Sequence, residues 1–186
     1  MKATVYRIVA VLALLVPALL IPTAAQAHAP YCGITWGSLA KSPTAVVHPT
    51  SSPGDVVGVR SGRHRCFDRL VIDVDGSSHG YTVGYVDQVR ADGSGDVVTT
   101  AGGARIQVVA VAPAYDDDGR TTFSPNRAAV SDVTGYRTFR QVTWAGSFEG
   151  QTSLGLGTRA RLPFRVFTLT GPGDGSRIVV DVAHRW

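Results

Sequence analysis

The chain has 186 residues, is 44% hydrophobic and 17% charged, and carries a formal charge of +4. Two of its basic residues, Lys2 and Arg7, belong to an N-terminal segment read below as removable, which leaves 16 basic against 14 acidic side chains. That excess is too small for the clustered basic face of a nucleic-acid binder, and the remaining length is that of one ordinary domain.

The N-terminus has the three parts of a cleavable export signal. Lys2 and Arg7 supply the positive region, Ile8 to Ile21 an apolar stretch broken only by Pro17, and Ala25-Gln26-Ala27 a small-residue cleavage site before His28. The apolar run of 14 residues falls short of the ~20 that a spanning helix requires, so no stable membrane span is expected after cleavage. Cys32 follows Ala29-Pro30-Tyr31, which is not a lipoprotein acceptor pattern. The chain is therefore expected to be secreted.

Residues 28–54 read as an N-terminal arm, rich in Pro, Ser and Thr, with Tyr31 to Gly37 as its ordered-looking portion and Pro43, Pro49 and Pro53 punctuating the rest. The chain has two cysteines, Cys32 and Cys66. In an oxidising compartment they are expected to pair with each other and tie the arm to the domain. The closed loop of about 35 residues implies roughly 3–4 kcal/mol in the chain-entropy model.

From residue 55 to residue 186 the texture changes to short β-branched runs between Gly/Asp turns. Val, Ile, Tyr and Thr at period two predict strands at Val56–Arg60, Phe67–Val74, Tyr81–Val89, Val97–Thr99 and Ala104–Ala112. Further strands are predicted at Thr121–Phe123, Tyr136–Trp144, Thr152–Leu156, Phe164–Leu169 and Arg177–Val182. No window offers a convincing amphipathic helix longer than about 10 residues. Strands at this spacing mean an all-β sandwich or barrel.

One pattern, R-[LI]-V-[VI]-D-V, occurs at Arg69 to Val74 and again at Arg177 to Val182. Period two puts Leu70, Ile72 and Val74 on one face and Arg69 and Asp73 on the other. The repeat predicts equivalent strands in two pseudo-symmetric halves.

Several motifs together carry a family resemblance. They are C-G-I-T-W-G-S-L from Cys32, G-R-H-R-C-F-D-R-L-V from Gly62 and G-Y-T-V-G-Y-V-D from Gly80, with F-E-G from Phe148 and P-F-R-V-F-T-L from Pro163. In combination they resemble the AMIN-like domain proteins of actinobacteria, over Cys32 to Val182. The resemblance implies a sandwich of two small pseudo-symmetric antiparallel sheets, related to a non-catalytic module that targets envelope enzymes to peptidoglycan. It implies a secreted or lipid-anchored protein with no established catalytic residues to carry over; the expected partner is peptidoglycan or another envelope protein, the expected location extracellular at the cell wall, and no cofactor is expected.

The residues themselves offer weak catalytic signals. Ser38-Leu39-Ala40-Lys41 matches S-x-x-K, but no K-T-G follows and Gly and Pro flank it, against the helix that motif needs. Glu149 is the lone glutamate, and glycoside hydrolysis needs a carboxylate pair. Asp116-Asp117-Asp118-Gly119 places three carboxylates consecutively, whereas calcium loops alternate their ligands. It reads as a solvated hairpin tip, with Ca2+ as the alternative. No catalytic residue and no metal site is assigned. Sugar sites combine aromatic faces with planar hydrogen-bonding groups. The candidate ligand-binding residues are Trp36, Tyr81, Tyr85 and Trp144 with Arg63 and Arg65, and Trp36 stands out because it lies in the arm. The sequence thus points to a secreted non-enzymatic module that binds cell-wall glycan, with envelope protein–protein interaction as the alternative.

Overall fold

The computed structural model describes residues 30–43 and 54–186. The expected export signal at residues 1–27, its cleavage site, and residues 44–53 of the arm lie outside the described residues. Ten strands follow the arm: β1 (Asp55–Arg63), β2 (Phe67–Asp75), β3 (Tyr81–Val86), β4 (Val89–Arg90), β5 (Val97–Val98), β6 (Ala104–Ala110), β7 (Phe139–Phe148), β8 (Gln151–Thr158), β9 (Phe164–Thr170) and β10 (Ser176–Ala183). They pair antiparallel into two four-stranded sheets, β1-β2-β10-β9 and β3-β6-β8-β7, with β4-β5 as a small separate hairpin. The protein is an all-β antiparallel sandwich, not a barrel. No helix among the described residues is long and apolar enough to cross a membrane.

Alternation decides which residues form the core. Leu70, Ile72 and Val74 of β2 and Ile178, Val180 and Val182 of β10 point inward, against Val83, Ile106, Val108, Leu154 and Leu156 of the second sheet. Burying each such side chain is worth about 1.5–3 kcal/mol, so this layer dominates the stability. At one end Asp68, wholly buried, ties the sheets together: its carboxylate accepts the N–H groups of Thr138 at 2.6 Å and Phe139 at 3.2 Å, and lies 3.1 Å from Nε2 of His184.

The repeated pattern marks two strands that meet. Its two copies are the central strands of one sheet, β2 from the N-terminal half and β10 from the C-terminal half, with Arg69 opposite Asp181 and Asp73 opposite Arg177. In an antiparallel pair, a segment with Arg and Asp four residues apart sets each arginine opposite the other copy's aspartate; Arg69 and Asp181 close an ion pair there, while Asp73 takes Arg60 of β1 instead. Two expectations change. The run Tyr81–Val89 is interrupted at Asp87 and Gln88, so β3 ends at Val86 and Val89 begins the small hairpin. Thr121–Phe123 is not a strand; Thr121 makes only an isolated bridge to Tyr115.

Both open sides of the sandwich are strapped. The arm bridges β9 through Gly37 and Phe164, then β3 through Lys41 and Val83. The disulfide Cys32–Cys66, with 6.4 Å between Cα atoms, fastens its start to the turn between β1 and β2. On the opposite side the connection between β6 and β7 runs from β1, where Val56 N–H donates to the Pro113 carbonyl, to β7, where Trp144 N–H donates to the Arg127 carbonyl. Sheet edges left open invite pairing with other chains, and these straps occupy parts of them. The outer face of β8 is flat at Gly155 and Gly157, which lets the segment at Thr100 and Ala101 lie directly on it.

Candidate functional site

An open cleft of about 730 Å³ lies beside the edge strand β7. Three segments build it: the turn after β4, the connection around Tyr115 to Arg127, and the second half of β7. A bulge makes them converge. Ala145 is an extra residue between the paired positions Trp144 and Gly146, and its carbonyl accepts the Asp92 N–H at 3.0 Å. Ser147 Oγ accepts the Ala114 N–H at 2.9 Å, and Tyr115 Oη accepts the Gly150 N–H at 3.0 Å, which fixes the opposite wall.

The cleft carries aromatic surface beside polar groups. Trp144 projects inward from β7, is 8% exposed, and meets Phe123 edge-on at 5.7 Å between ring centres. Phe148, at 50% exposure, is the freely presented ring. Its ring packs against Gly93, where φ is +77° and an added Cβ would lie 3.3 Å from it, so this turn needs glycine on both counts. Asp92 is the carboxylate in the lining, and Arg127 the guanidinium. One Asp92 oxygen accepts the Ser153 hydroxyl at 2.8 Å; the other, Oδ2, is buried without a partner. Burial pushes this carboxyl above the usual carboxylate range, and the Ser153 hydrogen bond opposes the shift.

Chemically, the arrangement suits a polyhydroxylated ligand. Sugar C–H faces pack on exposed rings, while a carboxylate accepts and a guanidinium donates hydrogen bonds to hydroxyls and amides. A hydrolytic glycosidase site needs two carboxyl groups about 5–9.5 Å apart. The lining holds one among the described residues, Asp92.

The structure disperses the side chains singled out from sequence. Trp144 is at the cleft. Trp36 lies on the outer face of the first sheet, where its indole N–H donates to the Tyr31 carbonyl at 2.8 Å and its ring meets Phe67 at 6.0 Å and the Arg165 guanidinium at 5.7 Å. Tyr81 and Tyr85 span from β3 toward the β9 side: Tyr81 donates to the Val166 carbonyl at 3.3 Å and Tyr85 to the Leu162 carbonyl at 2.7 Å. Arg63 lies over the Tyr136 ring at 5.9 Å, and Arg65 is exposed at the turn between β1 and β2.

Other motifs resolve into local structure. Glu149 and Gly150 have φ of 48° and 76°, the left-handed pair of a two-residue hairpin between β7 and β8. In the acidic run, Asp116 accepts the N–H groups of Asp118 at 3.0 Å and Arg120 at 2.8 Å, and the Arg120 guanidinium pairs with both Asp116 and Asp118. The carboxylates of Asp116 and Asp118 are thus engaged within the turn. Lys41 holds the bridge to Val83 with its ammonium 5.2 Å from the Phe164 ring centre. Sequence reading passed over Asp92, Phe148 and Arg127; the exposed aromatic beside a hairpin dipeptide at Phe148-Glu149-Gly150 was the one signal available.

Comparison with known proteins bears on the whole sandwich. No curated protein and no solved structure matches the chain. The model of the AMIN-like domain matches residues 54–184, which takes in both sheets and more than half of the chain. The chain belongs to the AMIN-like domain family.

Proposed function

We propose that this protein is an exported, non-catalytic module that binds glycan material of the cell wall, and that the cleft around Asp92 and Phe148 is where it does so. The observation that carries the reading is the half-exposed Phe148 ring in a cleft that Asp92 and Arg127 also line. A ring to pack on beside a carboxyl and a guanidinium matches the C–H face and the hydroxyls of a sugar. Membership of the AMIN-like family supports a peptidoglycan-related role, and the disulfide fits an oxidising compartment. The straps over parts of the β3, β7 and β9 edges weigh against docking to an envelope protein by strand addition.

Co-sedimentation of residues 28–186 with purified, insoluble peptidoglycan tests this. Retention that persists through moderate salt and falls at least ~5-fold in Phe148→Ala and Arg127→Ala is expected. Absence of retention, or retention unaffected by both substitutions, overturns the reading.

A further inference from the structure

The outer face of the first sheet contains a second concavity, about 200 Å³ in volume and separate from the cleft. Its floor is apolar: Val71 of β2 and Val179 of β10 are cross-strand partners. Leu169 stands at one side. Around this floor stand three guanidinium groups, Arg60, Arg69 and Arg177. From β1, Arg60 projects alone on this face, because its same-face neighbours at spacing two are Gly58 and Gly62.

The charges do not balance. Asp181 takes Arg69 at 2.6 Å and Arg165 at 2.8 Å, and Asp73 takes Arg60 at 2.8 Å. Three arginines thus share two carboxylates, and a fourth is left over. Arg177 has no carboxylate partner among the described residues; it gives one N–H to the Thr170 carbonyl at 3.1 Å, and its Nε is buried without an acceptor. The Arg177 guanidinium therefore keeps a charge that no carboxylate among the described residues offsets, and an anion entering the slot beside Arg60 and Arg69 would offset it.

We propose that this slot is an anion site for a carboxylate bearing a short apolar group. Guanidinium forks match the two oxygens of a carboxylate in one plane. The valine floor and Leu169 favour an alkyl group on the other side of that carboxylate. A phosphate would lay further charged oxygens on the same valines, where nothing hydrogen-bonds them. The volume equals that of about seven waters at ~30 Å³ each, which suits a small acylated amino acid. The site stands independently of the glycan reading, which uses other residues.

Titration of ¹⁵N-labelled residues 28–186 with N-acetylalanine, N-acetylalaninamide and inorganic phosphate tests it. N-acetylalanine is expected to saturate, with the largest shifts at the amides of Val71, Leu169 and Val179, while the uncharged amide does not bind and phosphate binds more weakly. Arg177→Gln should weaken N-acetylalanine at least ~10-fold and Arg177→Lys less; Arg60→Gln gives an independent reading should Arg177→Gln fail to fold. Equal binding of the amide, tighter binding of phosphate, or an affinity unchanged in Arg177→Gln and Arg60→Gln overturns the proposal.

Discussion

Arg69 and Asp181 face each other across β2 and β10 in a forked contact, Nε to Oδ1 at 2.6 Å and Nη2 to Oδ2 at 2.9 Å, and the aspartate is completely buried. Asp181 also receives Arg165, so it is the shared centre of the cluster. Removing the centre strands two arginines, whereas removing Arg69 leaves the carboxylate one partner. Asp181→Asn should therefore cost about 3 kcal/mol and Arg69→Gln only about 1–2 kcal/mol, measured by urea denaturation. Equal losses would show that the two arginines do not share the load.

The disulfide holds the strap rather than the core. Cys32 and Cys66 are 34 residues apart in sequence, and both sheets are complete without the arm. Cys32→Ser with Cys66→Ser should cost roughly 3–4 kcal/mol, lowering Tm by about 10 °C, while far-UV circular dichroism keeps the β signature. Loss of that signature would place the arm within the folding core.

Two strand glycines should respond oppositely to a methyl group. A Cβ on Gly157 would meet the Ala101 carbonyl oxygen at 1.8 Å, a clash with backbone that must push the covering segment off β8. On Gly58 the nearest atoms are 3.5 Å away, an ordinary contact. Thermal melts should show Gly157→Ala losing about 1–3 kcal/mol and Gly58→Ala within ~0.5 kcal/mol of the parent.

Period-two patterning made most strands legible because each has one face in the core, and burial selects alternate positions regardless of topology. Phe67–Val74 and Phe164–Leu169 match β2 and β9 within one residue for this reason. Sheet partners were less legible: nothing local in Arg69–Val74 tells that its echo at Arg177–Val182 lies beside it. The cleft was least legible. Trp144 is visible as an aromatic, but Asp92 reads as a turn residue in Asp92-Gly93-Ser94-Gly95, and only the Ala145 bulge brings that turn to β7. Outward pairs such as Arg165 and Phe167 alternate just as inward ones do, so period two alone does not mark them as a surface cluster.

Burial of Asp92 costs stability near neutral pH. Its folded carboxyl titrates above its ordinary value because of burial, so the folded state favours the protonated form. The sign follows: the native state is relatively favoured below the unfolded pKa, and that advantage is lost as pH rises through the folded pKa. Asp92→Asn should thus be more stable than the parent at pH 7, by on the order of 1 kcal/mol, with the difference shrinking as pH falls through the acid range. Unfolding curves across pH 3–7 measure it; a gap that widens toward low pH contradicts the assignment.

The cleft beside β7 is proposed to take a cell-wall glycan. Its most direct test is an amide chemical-shift titration of residues 28–186 with soluble peptidoglycan fragments, mapped onto the chain. Shifts concentrated at Asp92, Gly93, Gly146 and Phe148, abolished in Phe148→Ala, are the predicted result. Saturable shifts confined to other faces, or none in the parent, would contradict it.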